Sequence, residues 1–192
     1  MDKINELREK LQETRPACWE QLPDIELYKD QVLSYMQRQF LPSENEEVLT
    51  GAMINNYIKA GALPRSNGKK YGREHLAYLT AICALKPAMS VSDIEYLLKK
   101  QSFGLEAKNF YELICTKIDK GLTDTAGMLN EQLTEDELPE YILTIALQAT
   151  GLRIVCEKLL KVMRDNDPEI SKDKKAQNGA KKDKKEDKDE KK

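Results

Sequence analysis

Histidine and tryptophan occur once each and cysteine four times in 192 residues, so little material is available for metal or disulfide chemistry. Cys18, Cys83, Cys115 and Cys156 lie 65, 32 and 41 residues apart. That spacing forms neither a C-x-x-C pair nor a disulfide framework, and reduced thiols are expected, Cys83 and Cys156 at inward helical positions. No apolar run approaches the roughly 18 residues a membrane-spanning helix needs. The first residues carry no basic region leading into an apolar stretch, so no secretory signal is expected. Together these absences predict a cytoplasmic protein that is not in a membrane. No Ser/His/Asp set, P-loop, G-x-G-x-x-G or metal-ligand cluster occurs, so neither catalysis nor a cofactor is expected. His75 has no Cys or carboxylate partner at ligand spacing and reads as structural.

What the chain has is charge. Asp, Glu, Lys and Arg make up 33% of it, against 40% hydrophobic residues and a net charge of −2. The sum hides an uneven distribution. Residues 1–49 carry −5, residues 50–86 carry +5, residues 87–170 carry −6, and the tail 171–192 carries +4. A cationic segment inside an acidic body favours phosphate at one place and repels it elsewhere. The tail has almost no apolar side chains and is expected to be disordered.

Periodicity predicts a mostly helical chain. Ile4, Leu7 and Leu11 suggest a short helix over 3–13, and Asp24 could cap a helix over about 24–40. Thr50 is a good N-cap for a helix carrying Met53, Ile54, Tyr57 and Ile58, and Gly61 is placed to stop it. Asn67-Gly68 favours a tight turn inside a basic hairpin over 64–71. Helices follow over 72–85, from Ser90, and over 106–120 to Gly121. A long helix then begins near Thr134 or Pro139 and ends before Asp167. Its residues Leu138, Ile142, Ile145, Ala149, Leu152, Cys156, Leu159 and Met163 keep a heptad spacing. The seam has two readings, a homodimer through the 138–163 helix or an internal core helix.

Helix, glycine stop, basic hairpin and second helix are the parts a winged helix-turn-helix requires. The stretch Thr50-Gly51-Ala52-Met53-Ile54-Asn55-Asn56-Tyr57-Ile58-Lys59-Ala60-Gly61-Ala62-Leu63 resembles the recognition helix of MerR-type regulators. Lys70-Tyr71 looks like the basic-Tyr pair closing their first wing. Leu76, Leu79, Ile82 and Leu85, with Ser90-Val91-Ser92-Asp93-Ile94, resemble the two helices after the wing. The whole chain is also similar to an uncharacterised bacterial family carrying this MerR-like domain. Where MerR-type helices have a basic residue, this sequence has Asn55.

The expected fold is therefore all-α with a small β-hairpin wing: a winged helix-turn-helix plus a C-terminal helical region containing a long helix. The expected divisions are an N-terminal helical segment (1–43, with the scaffold helix), the MerR-like module (44–104), the C-terminal helical region (105–168) and the tail (169–192). The resemblance implies a double-stranded DNA-binding transcriptional regulator, with a recognition helix at 50–60 and a basic wing at 64–71. Asn55, Asn56 and Lys59 would contact bases or phosphates from the helix. Arg65, Lys69, Lys70 and Tyr71 would serve the wing, and Arg73 the start of the next helix. The competing expectation is a non-catalytic protein-interaction module on the same scaffold.

Overall fold

The computed structural model describes residues 2–39, 48–129 and 133–168. Residues 40–47, where a polar loop is expected to follow the helix from Asp24, and the Lys-rich tail lie outside the described residues. The chain is mostly helical, with one small two-stranded sheet and a long C-terminal helix. It divides into two units, Met1–Leu143 and Thr144–Lys192. Among the described residues no helix is long and apolar enough to cross a membrane.

In the first unit, α1 (Asp2–Glu13) packs on α6 (Ala107–Met128). Arg15 joins them. Its Nη1 donates to the carbonyls of Leu11 and Thr14 at the end of α1, at 2.7 and 2.9 Å. Its Nε reaches Asp119 Oδ1 at 2.5 Å and its Nη2 reaches Thr123 Oγ1 at 3.1 Å. A planar guanidinium can satisfy helix-end carbonyls and pair with a carboxylate at the same time. Residues 17–22 are tied to the same helix by the Tyr111 hydroxyl, which donates to the Ala17 carbonyl at 2.6 Å, and by the Lys108–Glu20 pair at 2.6 Å.

The helix expected from Asp24 starts later. Leu27–Tyr28 form strand β1, and α2 runs Lys29–Gln37. Leu27 is buried and its backbone pairs with Tyr71, so tertiary pairing holds this stretch extended. Gln31 Oε1 then accepts from the Tyr28 N–H at 2.9 Å, capping α2 from within its first turn. Val32 and Met36, four residues apart, point inward.

The core centres on α4 (Arg73–Leu85), which buries Leu76, Ala77, Leu79, Thr80, Ala81, Ile82 and Cys83. A helix apolar on nearly every side must be surrounded, and α2, α5 (Val91–Ser102), α6 and the sheet all pack on it. Its one buried hydroxyl, on Thr80, donates to the Leu76 carbonyl at 2.9 Å. Ser90 caps α5 by accepting from the Asp93 N–H at 3.2 Å. Helix α6 does not stop at Gly121 but continues to Met128. A mid-helix glycine costs about 1 kcal/mol, an amount that further packing can offset, and Ala126 beyond it is fully buried.

Helix α7 (Leu138–Asp165) begins in the first unit. Its remaining residues, from Thr144, are the described helix of the second unit, and most of their apolar side chains are exposed.

Candidate nucleic-acid interface

Helix α3 (Gly51–Ala60) is defined at both ends by its own residues. Thr50 is extended, and its Oγ1 accepts from the Met53 N–H at 3.1 Å. Gly61 has φ +81°, which glycine adopts without the steric penalty of a side chain. The turn it makes lets the Ala62 and Leu63 N–H groups both donate to the Tyr57 carbonyl, at 2.9 and 3.2 Å. Ile54 and Tyr57 point into the core, and Asn55, Asn56 and Lys59 are exposed.

Leu63 is buried, and the chain then leaves the core through Pro64 and Arg65. Asn67 and Lys70 exchange both backbone hydrogen bonds, at 3.2 and 3.1 Å, around Gly68 and Lys69. The turn therefore centres on Gly68-Lys69, not Asn67-Gly68. Gly68, with φ +62°, takes the first central position, which II′ turns reserve for glycine.

The hairpin does not stand alone. Strand β2 (Lys70–Tyr71) pairs antiparallel with β1, Leu27 opposite Tyr71 and Tyr28 opposite Lys70. Lys70 Nζ lies 5.6 Å from the centroid of the Tyr28 ring, a cation–π contact. His75 braces the other side. Its Nδ1 accepts from the Gly72 N–H at 3.1 Å, so the neutral ring carries its proton on Nε2, 3.2 Å from the Arg65 carbonyl. Its ring meets Tyr71 edge-on at 5.4 Å.

These contacts bring Asn55, Lys69 and Tyr71 together around one groove. Asn55 and Lys69 line an open groove of about 450 Å³ together with Tyr28, Lys29 and Ser66. Lys59, Arg65 and Lys69 are exposed and form no ion pair among the described residues. Glu26 and Asp30 are the nearby acids. Glu26 accepts from Asn67 Nδ2 at 3.4 Å, and Asp30 lines the groove.

Two expected contacts are placed differently. Tyr71 is only 3% exposed and belongs to the core, although it also contributes to the lining of the groove. Arg73 is half-buried, and its Nε donates to the Pro23 carbonyl at 3.2 Å, which ties α4 to the segment before β1. One residue was not expected. Lys29, the first residue of α2, donates from Nζ to Asn55 Oδ1 at 3.0 Å. It places an ammonium beside Asn55.

Burial pushes the Cys83 thiol up to about 12, and burial raises Tyr111 and, on the inner side of α3, Tyr57.

Residues 17–115 match a family described as a domain of unknown function, DUF1836. The chain belongs to the DUF1836 family. No curated protein and no solved structure matches it. The DUF1836 region contains both strands, α2 to α5 and the start of α6, so the whole cationic groove falls inside it. Helices α1 and α7 lie outside the matched DUF1836 residues.

Proposed function

We propose that this DUF1836 protein is a non-catalytic, cytoplasmic protein that binds double-stranded DNA, acting as a transcriptional regulator through a MerR-like winged helix-turn-helix over 44–104. In this reading α3 is the recognition helix and the turn around Gly68-Lys69 is the wing. The observation that carries it is that Lys29 and Lys69 line one open groove with Asn55 of a solvent-facing helix whose two ends are capped. A helix about 10–12 Å across with its side chains fits a major groove about 12 Å wide. Asn56 and Lys59 are the base-reading candidates, since Asn can pair bidentately with adenine and Lys with guanine or phosphate. Lys69, Lys70 and Arg65 serve as phosphate contacts, which fix register. Tyr71 and Arg73 position the wing from behind. Two copies joined through the 138–163 helix would read two half-sites, giving a two-fold symmetric target.

The test is selection of duplexes from random sequence by the full chain. Enrichment of a defined motif supports the reading. Recovery of an unenriched pool, with no retention even at low salt, contradicts it.

One observation favours the protein-interaction module instead. Phe103 is 87% exposed and Leu105 42% exposed at the tip between α5 and α6. Exposed apolar tips of this kind suit a protein surface. That reading predicts a partner whose binding survives Lys69→Ala with Lys70→Ala and is lost with Phe103→Ser.

A further inference from the structure

Cys18 and Cys115, 97 residues apart in the sequence, meet at one tyrosine. Tyr111 on α6 is buried, and its hydroxyl donates to the Ala17 carbonyl at 2.6 Å. Its ring lies 5.8 Å from that of Trp19. Cys18 sits between those two contacts. Cys115 follows Tyr111 by four residues, one helical turn along the same face of α6, and its thiol hydrogen-bonds the Tyr111 hydroxyl. One phenol therefore holds both the peptide that carries Cys18 and the thiol of Cys115. We propose that Cys18 and Cys115 are a reversible disulfide site, closed by a low-molecular-weight disulfide such as oxidised glutathione.

Exposure assigns the roles. Cys18 is exposed, in the extended stretch before the 3₁₀ turn Trp19–Gln21. Its thiolate attacks one sulfur of the small disulfide, and one small thiolate leaves. Half-buried Cys115 then attacks the Cys18 sulfur, and the second small thiolate leaves. Two protein thiols are oxidised, one small disulfide is reduced to two thiols, and the two protein thiol protons end on them. Cys115 is held by α6, so Cys18, outside any helix, is the sulfur that moves. The electrostatics agree with the placement. Burial raises the Cys115 thiol, its bond with Tyr111 lowers it, and the nearby Cys18 raises it. Cys18 also adds to the rise that burial gives Tyr35. The Tyr35 hydroxyl is buried with no hydrogen-bond partner among the described residues, and a Cys18 sulfur drawn inward brings it a weak acceptor. The other thiols are placed elsewhere. Cys83 is buried on α4 and donates to the Val48 carbonyl at 3.8 Å, and Cys156 belongs to the second unit.

The bond has a topological consequence. The DUF1836 match spans residues 17–115, so joining Cys18 to Cys115 closes almost all of that domain into a ring. Both strands, α2 to α5 and the cationic groove lie inside it. A cross-link restricts the unfolded chain more as the closed loop lengthens. Oxidation therefore clamps the domain without adding a group to the groove. The inference does not rest on DNA binding.

The test uses the full chain with Cys156→Ser, incubated with oxidised glutathione at about pH 8 and mapped by mass spectrometry of non-reduced peptides. The expected product has one bond within one chain, between the Cys18 and Cys115 peptides. Dithiothreitol should reverse it, and its urea midpoint should be higher than that of the reduced protein. Adding Cys115→Ala should stop the reaction with glutathione held on Cys18. Cys18→Ser, at an exposed position that keeps the fold, should leave Cys115 free and the midpoint unmoved by glutathione. Failure to close, whether Cys18 stays free or keeps its glutathione, overturns the proposal. So does a bond from Cys18 to Cys83 or between two chains, and so does closure that lowers the midpoint.

Discussion

Lys29 and Asn55, 26 residues apart in the chain, meet through a 3.0 Å hydrogen bond that places an ammonium on the exposed side of α3. The contact requires β1 to pair with β2, because that pairing sets where α2 begins. Lys29→Ala should therefore weaken duplex binding although it lies outside the recognition helix. The slope of log affinity against log salt should flatten by about one for a lost phosphate contact. Unfolding free energy should change by less than about 0.5 kcal/mol, as is usual for a surface substitution. Salt-series binding and urea denaturation measure the two effects separately.

The ends of α3 predict stability effects. Thr50→Ala removes the cap of the Met53 N–H and should cost about 1 kcal/mol. Gly61→Ala should cost at least about 1 kcal/mol from its left-handed backbone. The added Cβ would meet only the Glu95 side chain, Cγ at 3.8 Å and Oε1 at 3.9 Å, so crowding adds little. Urea midpoints with unchanged m-values would confirm both.

His75→Phe keeps the aromatic packing on Tyr71 but removes both ring-nitrogen contacts, to Gly72 and to Arg65. Amide exchange over 65–70 should rise about tenfold for each 1.4 kcal/mol of local stability lost, while exchange in α4 beyond its first turn stays near wild type. Duplex affinity should fall without a change in charge.

Alkali should destabilise the fold in a defined window. The Cys83 thiol titrates near 12 in the fold against 9.0 ordinarily, because burial penalises the thiolate. Between those values the unfolded chain binds fewer protons than the folded one, so stability falls as pH rises. Burial raises Tyr57 and Tyr35 above 10.0 and extends the loss in the same direction. Thermal melts between pH 8 and pH 11 should show the decline. At pH 8 a thiol reagent should modify exposed Cys18 well before Cys83.

The helical elements were legible where local chemistry decides them. Thr50, Gly61 and Ser90 mark helix boundaries through their own hydrogen bonds or backbone angles, and those boundaries stand where they were read. The misplaced boundaries are those decided at a distance. Leu27-Tyr28 reads as helix until β2 supplies its partner, and α6 passes Gly121 because Ala126 finds a buried place. Within the candidate site, Asn56, Lys59, Arg65, Lys69 and Lys70 are exposed as their polarity suggests. Tyr71 carries an ambiguous signal, since an aromatic with a hydroxyl suits either a core or a phosphate. Lys29 carries none, because no local pattern links it to α3.

The most direct test of the central claim is fluorescence anisotropy of a labelled random-sequence duplex titrated with the full chain between 50 and 200 mM salt, beside the Lys69→Ala, Lys70→Ala variant. Binding should weaken steeply with salt, and the variant should bind less tightly with a slope shallower by about two. Absence of binding at 50 mM salt, or a variant indistinguishable from the parent, would contradict it.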